Sequence, residues 1–177
     1  MARLRTAFER LLESILIFLM VALTVVVVVA VIYRKAGASF AWYDEVASIM
    51  LAWVTYYGAA LAALKRAHIG FDGILMAAPL PWRLWLAALA ELCVIGFFVV
   101  LAWTGMQVLY VLEGDTLVSL PQVSVQWTQS VIPIGAVLFI ICELTSLPAY
   151  WRRLRAGPVD PDGDDADRDT PPPEPAR

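Results

Sequence analysis

Residues 42–72, WYDEVASIMLAWVTYYGAALAALKRAHIGFD, place a long apolar run between an acidic start and a polar, basic end. The acidic start is Asp44-Glu45, and the apolar run is Val46–Leu64. A helix of about 20 apolar residues crosses the roughly 30 Å hydrocarbon core of a bilayer. The run therefore predicts a membrane-spanning helix, and its ends are patterned beyond what membrane insertion alone requires.

Three further segments have a comparable apolar length: Leu11–Tyr33, Leu84–Leu109 and Trp127–Trp151. The composition agrees, because 60% of the residues are hydrophobic and the mean hydropathy is +0.71. The first segment contains a run of valines, which would favour a strand in water. In lipid each backbone group needs a partner within its own segment, so a helix is expected there. We predict an all-α integral membrane protein with four transmembrane helices.

Lysine and arginine residues are divided unevenly between the two sides that these spans define. The N-terminal segment, the second loop and the flank after the fourth span hold nine of them, and the other two loops hold two. Because positive charge favours the cytoplasmic side, both termini are expected to be cytoplasmic. The first apolar segment is too long for a signal peptide and is expected to be a retained helix.

Two connecting segments have their own patterns. Thr6–Glu13 mixes basic, acidic and apolar residues, which is typical of a short interfacial helix. Residues 115–124 alternate polar and apolar side chains around Pro121, so this loop is expected to lie along the outer surface.

The chain divides into a four-helix transmembrane domain, residues 1–155, and a tail, residues 156–177. The tail holds seven of the 16 acidic residues and is rich in proline. With almost no apolar residues it cannot form a core, so we expect a disordered cytoplasmic segment. The acidic tail and the lack of a basic face make nucleic acid an unsuitable partner.

Three carboxylates lie within the apolar segments, at Glu13, Glu91 and Glu143. A charge in hydrocarbon costs at least about 2.5 kcal/mol, so each should be neutral, paired or near water. The predicted topology places all three in the cytoplasmic third. They could form part of a proton or cation path, or a structural polar cluster in contact with a partner subunit or with lipid headgroups. No comparable residues continue outward, which favours the structural interpretation.

Signatures of an enzyme or of a cofactor site are absent from the sequence. The single histidine, His68, cannot supply two haem ligands, and Cys93 and Cys142 are far apart with no CxxC pair. There is no HExxH and no GxSxG motif. We therefore predict a protein that is not an enzyme and that holds no cofactor.

Four motifs, in order, resemble the small membrane subunit (DctQ type) of tripartite ATP-independent periplasmic (TRAP) transporters. They cover most of Leu11–Trp151, and the acidic tail lies outside the resemblance. The motifs are Trp42-Tyr43-Asp44-Glu45, Tyr57-Gly58-Ala59-Ala60 with the close Lys65-Arg66-Ala67-His68-Ile69-Gly70-Phe71-Asp72, Leu80-Pro81 before the third span, and Trp127 through Ile132-Pro133-Ile134-Gly135.

This resemblance implies a scaffold role in the inner membrane of a bacterium. A periplasmic binding protein would deliver an organic acid, such as a dicarboxylate or sugar acid. A large multi-helix subunit would carry the substrate and sodium sites and perform the secondary active transport. The alternatives are a self-sufficient small homo-oligomeric transporter or channel, and an intramembrane enzyme or redox subunit.

On this basis two groups of residues are candidates for contacts with partners, in addition to membrane lipids. On the outer side, Arg34, Lys35, Asp44 and Glu45 are expected to help dock the binding protein or to anchor the second helix. On the cytoplasmic side, Lys65, Arg66, His68 and Asp72 are expected to form a clasp before the third helix. The full set of scaffold candidates is Trp42, Asp44, Glu45, Gly58, Lys65, Arg66, His68, Asp72, Pro133 and Gly135.

Overall fold

The computed structural model describes residues 2–38, 41–65 and 79–156, and this part of the chain is all-helical without strands. Four of its helical spans are long and apolar enough to cross a membrane, which confirms the predicted number. The helices are α1 (Ala2–Lys35), α2 (Tyr43–Lys65), α3 (Leu80–Val111), the short α4 (Val125–Gln129) and α5 (Val131–Ala156). The fourth span comprises α4 and α5 together.

The helices extend beyond the apolar segments from which they were predicted. Thr6–Glu13 is helical and continues directly into α1. At 34 residues α1 is about 51 Å long, since each residue adds 1.5 Å. The predicted tail begins at Ala156, the last residue of α5, and the rest of it lies outside the described residues.

The fourth span was predicted as one uninterrupted helix, and the structure divides it at Ser130. The proline at position 133 has no N–H group to donate to the carbonyl of the residue four positions earlier, Gln129. The helical hydrogen bonding resumes with the Ile134 N–H, which donates to Ser130 at 3.2 Å. The proline thus accounts for the break, one residue after α4 ends.

Local signals set several helix ends. After α1, Gly37 adopts a φ of 82°, and the N–H of Ala38 donates to the carbonyl of Tyr33 at 3.0 Å. This pattern is the Schellman motif, for which glycine is favoured. At the start of α4, the Ser124 hydroxyl accepts a hydrogen bond from the Gln126 N–H and caps the helix.

The long helices lie in an open row in the order α1, α2, α5, α3. The closely packed pairs are α1 with α2, α2 with α5, and α5 with α3. The most apolar window of the span containing α5 is 44% buried, whereas those of α1 and α3 are each 6% buried. The corresponding window of α2 is 11% buried, so the span containing α5 carries most of the packing, and α1 and α3 expose most of their apolar surface.

The buried core lies where α1, α2 and α5 meet near the C-terminal end of α2. It contains Leu12 of α1, Ala60, Ala63 and Leu64 of α2, and Phe139 and Cys142 of α5. Phe98 of α3 stacks on Phe139 with ring centroids 3.6 Å apart, which joins the outer helix to this core.

The connection between α3 and α4, residues 112–124, forms a small hairpin. Thr116 and Ser124 form an isolated antiparallel bridge, and the Leu117 N–H donates to Val123 at 3.0 Å. A turn at Pro121 closes it through the Val123 N–H and the Leu120 carbonyl. We call the end of the row that carries this loop the hairpin side, and the opposite end the Lys65 side.

Candidate functional site

Glu45 fastens the hairpin to the start of α2. One carboxylate oxygen accepts the Val118 N–H at 3.1 Å, and the other accepts the Ser119 N–H at 2.9 Å. The Ser119 hydroxyl also donates to the carbonyl of Ala41. A carboxylate that accepts two backbone N–H groups makes charge-assisted hydrogen bonds, which are stronger than neutral ones. In this structure Glu45 therefore acts as an anchor within the chain.

The other residues of the predicted outer group are placed differently. Arg34 donates a hydrogen bond to the Tyr43 hydroxyl, and its guanidinium carbon lies 5.4 Å from the centre of that ring. This contact joins the end of α1 to the start of α2. Lys35, Trp42 and Asp44 are exposed on the same side. The outer group thus joins α1, α2 and the hairpin, and Lys35, Trp42 and Asp44 form an exposed rim beside these contacts.

Lys65 joins the opposite ends of α1 and α2. Its ammonium group pairs with Glu13 and lies 3.4 Å from a carboxylate oxygen of Glu9. The two acids are four residues apart, so they lie on the same face of α1. Lys65 and Glu13 were predicted to belong to different groups, and the structure brings them together. All three side chains are partly exposed, so the pairing is open to solvent.

Three members of the predicted cytoplasmic clasp, Arg66, His68 and Asp72, lie outside the described residues. Their proposed contact with Lys65 stays a prediction.

Pro133 and Gly135 lie at close contacts between helices. A Cβ atom on Gly135 would fall 2.7 Å from the Tyr56 Cβ, closer than real Cβ contacts allow. A Cβ on Gly105 of α3 would fall 3.1 Å from the Pro133 side chain. Glycine at both positions lets α5 lie directly against its two neighbours, as expected for packing within a membrane. A Cβ on Gly58 would be 3.9 Å from Leu16, an ordinary contact.

The three intramembrane carboxylates lie on three helices. Glu13 is on α1 and is paired with Lys65, as described above. Glu143 is buried on α5, next to the core residue Cys142, and Glu91 is half-buried on α3. The Ser146 hydroxyl donates to the Glu143 backbone carbonyl at 2.9 Å. Among the described residues no three histidine, cysteine or acidic side chains are grouped so as to hold a metal ion.

Sequence reasoning missed the role of Arg83, which it counted only as a cytoplasmic charge. The structure buries Arg83 in the first turn of α3, where its guanidinium donates to the Leu154 carbonyl at 3.2 Å. A cation there stabilises the C-terminal end of α5, whose last carbonyls have no partners within the helix. The available signal was an arginine at the start of an apolar helix, which must find acceptors when buried.

A second missed contact joins α2 to α4. The Trp53 indole N–H donates to the Thr128 carbonyl at 3.1 Å. A buried indole usually finds an acceptor, so a tryptophan in the middle of a spanning helix was the signal. Together with Tyr56 and Gly135, this bond aligns α2 in parallel with the fourth span. The candidate site is thus a set of interhelical joints and exposed surfaces rather than a catalytic centre.

Comparison with known proteins places the chain in a family. No curated protein sequence matches the chain. Residues 23–155 match the family described as tripartite ATP-independent periplasmic transporters, DctQ component. The match covers the four spanning helices except the first part of α1. This chain therefore belongs to the DctQ family, the small membrane component of TRAP transporters.

Proposed function

We propose that this chain is a scaffold subunit of a TRAP transporter that takes up an organic acid. In this proposal a periplasmic binding protein delivers a dicarboxylate or sugar acid to a separate large membrane subunit. That subunit carries the substrate and sodium sites and performs sodium-driven secondary transport. The small subunit supplies fixed helices against which the large subunit rests, in the inner membrane of a bacterium.

The observation that carries the proposal is the open row of helices in a member of the DctQ family. Four-helix bundles pack their helices around one common core, whereas these four spans pack side by side in a row. Here α1 and α3 leave most of their apolar surface available to lipid or to another membrane protein. Such a shape suits a component that extends a larger assembly.

The polar residues also favour a supporting role. Glu45 and Lys65 are engaged in joints at the two ends of the row. Between these ends, Glu91 lies in the Lys65 half of α3, and Glu143 lies at the middle of α5. No described acidic or basic side chain continues from them through the hairpin half of these helices. Substrate and sodium sites are therefore proposed to lie in the large subunit.

The proposed orientation places the Lys65 side in the cytoplasm and the hairpin side in the periplasm, in accord with the distribution of lysine and arginine. The exposed rim of Lys35, Trp42 and Asp44 would then face the binding protein. Glu45 would contribute indirectly by holding the hairpin in place.

The test is sodium-driven uptake in liposomes with purified components. Three samples are compared. The first contains the cognate large subunit, the binding protein and this chain, the second lacks this chain, and the third contains this chain alone. We expect uptake only when all three proteins are present and a sodium gradient is applied. Purified complexes of the small and large subunits provide a direct check of association.

Two results would contradict the proposal. In the first, the large subunit and binding protein take up substrate without this chain at an undiminished rate. This chain would then not be a required scaffold. Uptake by this chain alone would favour a self-sufficient homo-oligomeric transporter, and Glu13, Glu91 and Glu143 would become the candidate pathway.

A further inference from the structure

A groove of about 550 Å³ lies between α3 and α5 on the hairpin side of the row. Ala102 and Leu109 of α3 form one wall, and Pro133, Val137 and Ile141 of α5 form much of the other. The Ser130 hydroxyl is the only side-chain polar group among the lining residues. The volume lies within the range of about 300–1,000 Å³ that is usual for small-ligand sites.

The length of the groove indicates what kind of molecule fits it. Along α5 the lining residues run from Ser130 to Ile141, which is about 16 Å at 1.5 Å per residue. This is about half of the roughly 30 Å hydrocarbon core, or the depth of one leaflet. A spanning helix of a partner would follow α5 across both leaflets, whereas an acyl chain ends near the midplane.

The charges beyond the outer end of the groove indicate the headgroup. Glu113 and Asp115 are exposed just after Leu109, in the segment that leads into the hairpin. Residues 111–126 contain no lysine and no arginine. The acidic side chains complement a cationic ammonium group and repel a headgroup with net negative charge. Trp127, which is 77% exposed at the same level, is a residue type enriched at the headgroup boundary.

We propose that this groove binds one acyl chain of a phospholipid from the leaflet on the hairpin side, with phosphatidylethanolamine as its preferred class. The chain lies along α5 between Ser130 and Ile141, and the ammonium group lies near Glu113 and Asp115. In the proposed orientation this is the periplasmic leaflet. The bound lipid fills the space that the α3–α5 contacts at Gly105 and Phe98 leave open on one face.

The first experiment measures lipid retained by the purified full-length chain. The chain is extracted from membranes that contain phosphatidylethanolamine and phosphatidylglycerol, transferred to lipid-free detergent, and analysed by lipid extraction and mass spectrometry. We expect about one phosphatidylethanolamine per chain and little phosphatidylglycerol. A wild-type chain that retains neither lipid, or both in the proportion of the membrane, would overturn the proposal.

The groove itself is tested by Val137→Trp, which places a large ring in the space of the acyl chain. Because the ring occupies the space that the acyl chain needs, we expect this variant to lose most of the retained phosphatidylethanolamine. The matched control is Val100→Trp on the exposed face of α3, outside the lining. Equal retention by Val137→Trp and Val100→Trp would overturn the assignment.

A second variant tests the headgroup without altering the groove. Glu113→Lys combined with Asp115→Lys changes only exposed positions, and we expect the retained lipid to shift towards phosphatidylglycerol. An unchanged lipid class would contradict the charge argument.

A partner helix is tested in the complex with the large subunit. If assembly releases the lipid and a Val137→Cys chain cross-links to the large subunit, the groove is a subunit contact and the lipid proposal fails.

Discussion

Two glycines at neighbouring helix contacts show how differently the centre and the edge of the row are packed. At the α2–α5 contact in the centre, a Cβ on Gly135 would lie 2.7 Å from Tyr56. At the α1–α2 contact on the edge, a Cβ on Gly58 would lie 3.9 Å from Leu16. Lipid tails are as apolar as the side chains, so helices associate through close packing and hydrogen bonds. At these two glycines the α2–α5 contact is therefore the tighter one.

The largest expected effect comes from Gly135→Ala, which breaks the central contact directly. The added methyl group would overlap Tyr56, and overpacking of this kind destabilises a protein by about 1–3 kcal/mol. Thermal unfolding of the purified chain in detergent measures the change. Gly96→Ala on α3 is the matched control, because a Cβ there meets nothing within 4 Å. Equal unfolding temperatures for the two variants would contradict the tight central contact.

An effect of the same order is expected from Arg83→Met, which removes the cation that holds α5 to α3. The Leu154 carbonyl would lose a buried donor, at a cost of about 1–3 kcal/mol. Unfolding in detergent again measures the loss, and hydrogen exchange should rise in the last turn of α5. Arg152→Met, at an exposed position of the same helix, is the control. If the two arginine variants behave alike, Arg83 is no more than a surface charge.

The hairpin provides a local test that leaves the row intact. Glu45→Gln keeps one oxygen acceptor but removes the charge and the second acceptor for the Val118 and Ser119 N–H groups. We expect faster amide exchange at these two residues and little change in the unfolding temperature. The neighbouring Asp44→Asn variant, which alters an exposed carboxylate, should leave this exchange unchanged. Slow exchange in Glu45→Gln would show that the hairpin is held by other contacts.

The smallest effect is expected at the edge glycine. Gly58→Ala adds a methyl group at ordinary contact distance from Leu16 and removes the conformational entropy cost of glycine. The variant should be neutral or more stable by up to about 1 kcal/mol. A loss of stability as large as that of Gly135→Ala would show that edge and centre are equally close-packed.

The sequence predicted the parts of the fold that depend on local properties. Four apolar segments of spanning length predicted four helices, and lipid excludes any other structure for such segments. Gly37 and Pro133 also carried local signals, for a helix end and for a helix break. The break was not predicted, because only a contact role was expected of Pro133. Its effect falls four residues earlier, at Gln129.

The contacts between helices could be predicted less well. Gly58, Pro133 and Gly135 were candidates for contacts, but hydropathy does not show which side chain each of them meets. Gly135 was a candidate without a partner until the structure placed Tyr56 against it. Glu45 and Lys65 were recognised as notable charges, while their partners lie 74 and 52 positions away in the chain.

By itself the sequence determined that this is a four-span, all-helical membrane protein, and its motifs indicated the family that the comparison then showed. The length and the backbone hydrogen bonds of a helix depend on one segment alone, so the apolar runs are enough to predict the helices. The tertiary structure alone decided the order α1, α2, α5, α3, the Arg83–Leu154 contact and the hairpin anchor at Glu45. These features depend on the shapes and polar groups of two segments at once, which neither segment specifies alone.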